Sequence, residues 1–198
     1  MDKAILAGIL FVMILFMCFI AFAGGLYLGL KYKARPPEPE LTQEQKKAIE
    51  NKLEGIKFQA AQMAIKQMNF VVEADRAEFK YGDIINVSST TNFVAVSGDK
   101  ATVQLSVSGH VIGPNGVGGV TVDGFISGLQ TSTDKKGNIN CSFNVMGSAI
   151  SALVEIMVPK GDNYATVYIT PNYSSNRMKF YGVLVPAAKS SVFKGFAW

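Results

Sequence analysis

A chain of 198 residues with 19 basic and 15 acidic side chains has room for one domain of ordinary size plus an anchor. Lys3, Lys31, Lys33 and Arg35 flank one apolar run, and from Pro36 onward 15 basic residues stand against 14 acidic ones, so the folded part is close to neutral. No basic run is available to neutralise phosphates, which argues against nucleic acid, and the two cysteines, Cys18 and Cys141, lie too far apart in kind to make a disulfide framework.

Residues 4–30 carry no charge and are dominated by Ile, Leu, Phe, Val and Met. About 20 such residues cross a hydrocarbon core as a helix, so this run is predicted to span a bilayer with slack for tilt. Residues 1–35 therefore read as a membrane anchor with its flanks. Gly25 and Gly29 offer the small-residue spacing at which a second helix can approach closely. Ala21, Phe22 and Ala23 before Gly24 also fit a signal-peptide cleavage site, but the apolar run continues past it, and an uncleaved single-pass anchor is favoured. The basic carboxyl flank, taken alone, favours a cytoplasmic domain.

Residues 36–41 form a Pro-rich, charged linker that cannot continue a helix. Thr42 and Gln45 then make a capping-box pattern, and an amphipathic helix is predicted over residues 42–69. Ile49, Leu53, Ile56, Ala60 and Met63 share one face at three- and four-residue spacing, and that face is expected to pack on the following domain.

From Phe70 the period changes to two. Ala101, Val103, Leu105 and Val107 alternate with Thr102, Gln104, Ser106 and Ser108; Ile139, Cys141, Phe143 and Val145 with Asn140, Ser142 and Asn144; Ala165, Val167 and Ile169 with Thr166, Tyr168 and Thr170. Such alternation puts one face in a core and the other in water, as in antiparallel sheets. Further strands are expected near 70–75, 91–96, 119–131, 150–158 and 177–185. Short connectors rich in Gly, Asn and Asp supply hairpin turns. The predicted fold is mainly β: an antiparallel meander of about eight strands over residues 70–198, closed as a barrel or folded as a two-layer sandwich.

No catalytic, cofactor-binding or metal-ligating set emerges from these residues. Gly113 to Gly119 is glycine-rich, but no Lys and no helix follow it, so it reads as a strand connection and not a phosphate cradle. His110, the single histidine, has neither a local nucleophile nor enough companions for zinc and reads as a strand-end residue. Cys141 reads as a small buried hydrophobe. Asp99, Asp123, Asp134 and Asp162 fall in or near turns, where they would hydrogen-bond their own backbone, although any two of them could serve a glycosidase. Phe125, Tyr164, Tyr168, Tyr173, Phe180, Tyr181, Phe193, Phe196 and Trp198 are expected chiefly to fill the interior.

Several runs carry a resemblance: NFVAVSGDKATVQ from Asn92 to Gln104, GPNGVGGVTVDG from Gly113 to Gly124, DKKGN from Asp134 to Asn138, GVLVP from Gly182 to Pro186 and SVFKG from Ser191 to Gly195. Together they resemble the family called domain of unknown function 4251, over about residues 70–196. The resemblance implies a small exported or lipid-anchored, β-rich envelope protein and brings no activity, ligand or catalytic residue. It favours a periplasmic domain over the cytoplasmic placement suggested by flanking charge. The expected role is a non-enzymatic envelope protein, held in the bilayer through residues 4–30, that binds a partner protein or an apolar ligand. The alternatives are an envelope glycan hydrolase using sheet carboxylates and a purely structural protein.

Overall fold

The computed structural model describes Met17 and residues 41–106, 119–148, 151–172 and 175–195. The chain divides into two units, Met1–Thr42 and Gln43–Trp198. The anchor expected over residues 1–35 lies, Met17 apart, outside the described residues. Among the described residues no helix is long and apolar enough to cross a membrane.

In the second unit one helix, α1, spans Gln43–Lys66, with Glu44 in its first turn and Lys66 in its last, the signs that suit the helix dipole. It ends where Met68 takes a left-handed φ of 51° and donates its N–H to Ile65 O at 3.0 Å. The face it buries differs from the predicted one. Ala61, Ala64 and Ile65 are buried, with Phe58 packed beside them, whereas Ile49, Leu53, Ile56 and Met63 are exposed. The physical reason is approach distance: two alanines let the helix backbone settle close to β1 and β9. The larger stripe lies roughly a third of a turn away, at 100° per residue.

Among the described residues nine strands follow: β1 Asn69–Glu78, β2 Ile84–Asn86, β3 Phe93–Ser97, β4 Lys100–Ser106, β5 Gly119–Thr133, β6 Ile139–Gly147, β7 Ser151–Val158, β8 Tyr164–Pro171 and β9 Met178–Pro186. From β3 to β9 each strand pairs antiparallel with the next, and β9 returns to pair with β1. β2 and β3 share the other edge of β1, taking Arg76–Glu78 and Asn69–Glu73 respectively. The result is an eight-stranded antiparallel barrel with β2 and β3 filling one strand position. The barrel, not the sandwich, is the architecture.

The predicted alternation supplies its core. Phe70, Val72, Val94, Val96, Ala101, Val103, Ile139, Cys141, Phe143, Val145, Val154, Ile156, Val167, Phe180 and Leu184 belong to one buried cluster that also takes in the helix residues Ala61, Ala64 and Ile65. Closure of β1 on β9 requires a close approach at Gly182, where a Cβ would lie 2.0 Å from Glu73 O, beside a register shift between Ala74 and Arg76. β5 bends at a bulge between Ser127 and Gln130, with Gly128 at φ 64°.

One outer face is not wet. Thr102, Gln104 and Ser106 of β4 were predicted to face water, yet all three are buried. The segment after the short 3-10 helix Ala187–Lys189 runs back across β3–β5: Phe193 N–H donates to Thr90 O at 2.7 Å, and Lys194 Nζ meets Asp123 Oδ2 at 2.6 Å. The fully buried Gln104 carboxamide is the centre of this strap. Its Nε2 donates to Thr91 O (3.0 Å) and Phe193 O (2.8 Å), and its Oε1 accepts from Thr121 Oγ1 (3.0 Å) and Gly195 N (2.7 Å). A polar residue can be buried there because every donor and acceptor it owns is used.

Candidate functional site

Strand register places outward side chains from distant parts of the chain side by side. Pairing of β5 through β9 and back to β1 makes one continuous row: Gln130, Ser142, Glu155, Tyr168, Lys179, Glu78. Two residues along on the same face runs a second: Ser132, Asn140, Met157, Thr166, Tyr181, Arg76.

Two adjoining depressions lie over these rows. One, of about 650 Å³, is lined by amide and hydroxyl groups such as Gln130, Ser132, Asn140 and Ser142, with Glu155 and Tyr168 at its edge. The other, of about 310 Å³, is lined by Glu78, Lys80, Glu155, Tyr168, Arg177 and Lys179 among others. Glu155 and Tyr168 belong to both, and Tyr168 is exposed.

The β1–β9 end of the rows is held rigid by charge-assisted hydrogen bonds. Glu78 accepts from Lys179 Nζ at 2.7 Å and from Tyr181 OH at 2.5 Å. Tyr164 OH donates to Asp75 Oδ1 at 2.7 Å and accepts from Arg76 Nη2 at 2.9 Å. The Arg76 guanidinium lies 5.1 Å from the centre of the Tyr181 ring and Lys179 Nζ lies 5.6 Å from that of Tyr168, both within cation–π range. Hydrogen bonds from Lys179 and then Tyr181 hold Glu78 below the usual carboxylate range. The same bonds push Lys179 and Tyr181 up, and burial followed by the bond to Asp75 pushes Tyr164 up.

Of the residues singled out from the sequence, Tyr168 and Tyr181 stand in these rows, whereas the aspartates do not. Asp134 closes its own hairpin, Oδ1 accepting from Lys136 N at 2.8 Å and Asn138 N at 2.9 Å, and these bonds, led by that from Asn138, hold its pKa low. Asp162 Oδ1 accepts from Asn163 N and Tyr164 N in the same manner. Asp123 is raised by burial but more strongly lowered by Lys194 and Thr102, for a net fall. By strand direction Asp99, Asp134 and Asp162 lie in the turns at the helix end of the barrel and are not members of the paired rows. Cys141 is a free thiol in the core, its pKa pushed up by burial. His110 and Gly113 to Gly118 lie outside the described residues, as do Tyr173, Phe196 and Trp198. Of the other aromatics expected inside, Phe180 is fully buried, whereas Phe125, Tyr168 and Phe193 are exposed. Among the described residues no group of three or more His, Cys, Asp and Glu is placed to hold a metal ion.

Arg76, Glu78, Glu155 and Lys179 escaped the sequence reading. The signal for Glu155 was present as a lone charge in the apolar run of β7, but its partners become visible only through register.

The chain matches the family described as Domain of unknown function (DUF4251) over residues 52–184, which includes every residue of both rows. The chain belongs to the DUF4251 family. It is similar to a DUF4251 family protein from Bacteroides eggerthii DSM 20697, whose crystal structure was determined at 1.95 Å resolution. The two share 45% identity and a TM-score of 0.64, over 75% of this chain and 99% of that one. No curated protein matches the chain. DUF4251 membership, expected from the strand and loop runs, is thus shown, and the family name carries no activity with it.

Proposed function

We propose that this DUF4251 domain is a non-enzymatic binding module, tethered to a bilayer by residues 4–30 on the periplasmic side, that engages a partner protein through the outer face of β5–β9. One observation carries the reading: the exposed Tyr168, flanked by Lys179 and Glu155, stands where two open depressions meet. An exposed aromatic beside charged side chains suits an interface anchor, because Tyr gives large contact area at little cost in side-chain entropy. An apolar ligand is the weaker choice. Phe70, Phe143, Phe180 and Leu184 occupy the barrel interior, and the depressions outside it are open and mix amides, hydroxyls and charges with apolar groups such as Met157 and Met178.

The glycan-hydrolase alternative needs one carboxyl with a raised pKa to act as acid. Glu78 is held low and is doubly bonded. Glu155 stands three strands from it, with Tyr168 and Lys179 between the two.

The test is site-specific photocrosslinking in intact cells, with a photoreactive phenylalanine in place of Tyr168 and, as control, in place of the exposed hairpin residue Lys135. A discrete protein adduct is expected from position 168, absent from position 135 and lost when Lys179→Glu is added. Identical adducts at both positions, or glycan turnover abolished by Glu155→Gln, would refute the reading. Accessibility of the domain to protease added from the periplasmic side tests the tether and its orientation.

A further inference from the structure

α1 carries two apolar faces and its own barrel uses one. The 24-residue helix is about 36 Å long at 1.5 Å per residue. Every residue from Leu41 to Glu54 is exposed, and the barrel takes only Phe58, Ala61, Ala64 and Ile65 near the other end. The second face stays open, with Ile49 54%, Leu53 49%, Ile56 54% and Met63 59% exposed. A helical segment of this length gains little from propensity alone, so an exposed apolar stripe along it calls for a partner.

The spacing identifies the partner. Ile49, Leu53, Ile56, Ala60 and Met63 recur at intervals of four, three, four and three residues, the 3.5-residue period of a helix–helix seam. A bilayer surface fits less well. Interfacial helices gather Lys and Arg on one face and Trp or Phe on the other. Here Glu44, Glu50 and Glu54 are interleaved with Lys46, Lys47, Lys52 and Lys57, and the open stripe holds no aromatic residue.

We propose that α1 pairs with α1 of a second copy as a short antiparallel two-stranded coiled coil. The charges flanking the seam choose the direction. Setting Ile49 against Ala60 of the second copy, and Leu53 against Ile56, brings Glu50 beside Lys57 twice, once on each side of the two-fold axis. Lys52 then faces Gln59. A parallel pair would instead put Lys52 beside Lys57 of the other chain, like charge against like. The antiparallel pair is isologous and closed, so it stops at two copies. It also carries the two barrels to opposite ends of the seam, leaving the outer face of β5–β9 on each copy unobstructed.

The test uses the full chain, purified with Cys18→Ser so that introduced thiols report alone; Cys141 is buried. Ile49→Cys and Ala60→Cys proteins, differently tagged, are mixed and treated with a short bis-thiol reagent, and sedimentation measures the association. Crosslinks between positions 49 and 60 of different copies are expected. Crosslinks from 49 to 49 should be far weaker, since 11 residues separate those positions along the axis, about 16 Å. Lys57→Glu should weaken association at least tenfold, and adding Glu50→Lys should restore it. Both charge changes lie on exposed positions, so each variant's melting is expected to match the parent at a concentration where both are monomeric. Crosslinking from 49 to 49 alone overturns the proposal, as does a monomer at every concentration in micelles and in liposomes, or a charge-swapped chain as weak as the single variant.

Discussion

Replacing Gln104 with leucine should detach the C-terminal segment and lower the melting temperature without collapsing the barrel. The carboxamide makes four hydrogen bonds, to Thr91 O, Phe193 O, Thr121 Oγ1 and Gly195 N, and three of the four tie the 90s loop and the C-terminal segment to β4. Each such bond contributes a net of roughly 0.5–1.5 kcal/mol, and a buried group left without its partner costs about 1–3 kcal/mol. Water reaches the groups freed by release of the segment, and leucine regains some apolar burial, so the expected loss is about 2–4 kcal/mol. For a unit of this size one kcal/mol moves the midpoint by roughly 2–4 °C, giving a fall of about 5–15 °C. Differential scanning calorimetry reads the midpoint, and limited trypsin digestion at Lys189 and Lys194 reads the release. Gln104→Glu separates hydrogen bonding from packing. Its carboxylate would face two carbonyl oxygens, so it should be worse than leucine near neutral pH and recover as acid protonates it. A midpoint within 2 °C of the parent, roughly half a kcal/mol, with unchanged digestion would refute the central role given to this amide.

Two further predictions follow from the β1–β9 seam. Gly182→Ala should be more damaging than Gln104→Leu, because the new Cβ would lie 2.0 Å from Glu73 O and only backbone movement can relieve it; urea unfolding of the variant should show a lower midpoint or an open, protease-sensitive β9. Glu78 is held below its ordinary value of 4.5 in the folded chain, so the stability it contributes is complete above that pH and is lost as pH falls through the lower folded value. Glu78→Gln should therefore flatten the acid limb of stability against pH, and a limb of unchanged slope by chemical denaturation would show that the Lys179–Glu78–Tyr181 cluster contributes nothing measurable.

The antiparallel meander was legible because a period of two cannot be mistaken over three strands: Ile139, Cys141, Phe143 and Val145 all point inward as the alternation requires. Closure was not legible. It depends on β1 meeting β9, with Phe70 opposite Pro186 and Glu78 opposite Lys179, and no local pattern reports a pairing across so much chain. β2 was missed because three residues are too few to display a period. The helix face went wrong because bulk drew attention to Ile49, Leu53 and Ile56, while the contact was made by alanines. β4 failed for the opposite reason: its polar positions were in the predicted phase, but what covers them comes from residues 193–195. The outer site lies between these cases. The alternation of β8 had already put Tyr168 on the side of Thr166 and Thr170, opposite Ala165, Val167 and Ile169. Counting it as core ignored its phase in favour of its hydrophobicity. A tyrosine in the polar phase of a strand is not interior filling; it is contact area turned outward. In this chain that phase, carried through the register to Glu155 and Lys179, leads from single strands to the surface on which the proposed function rests.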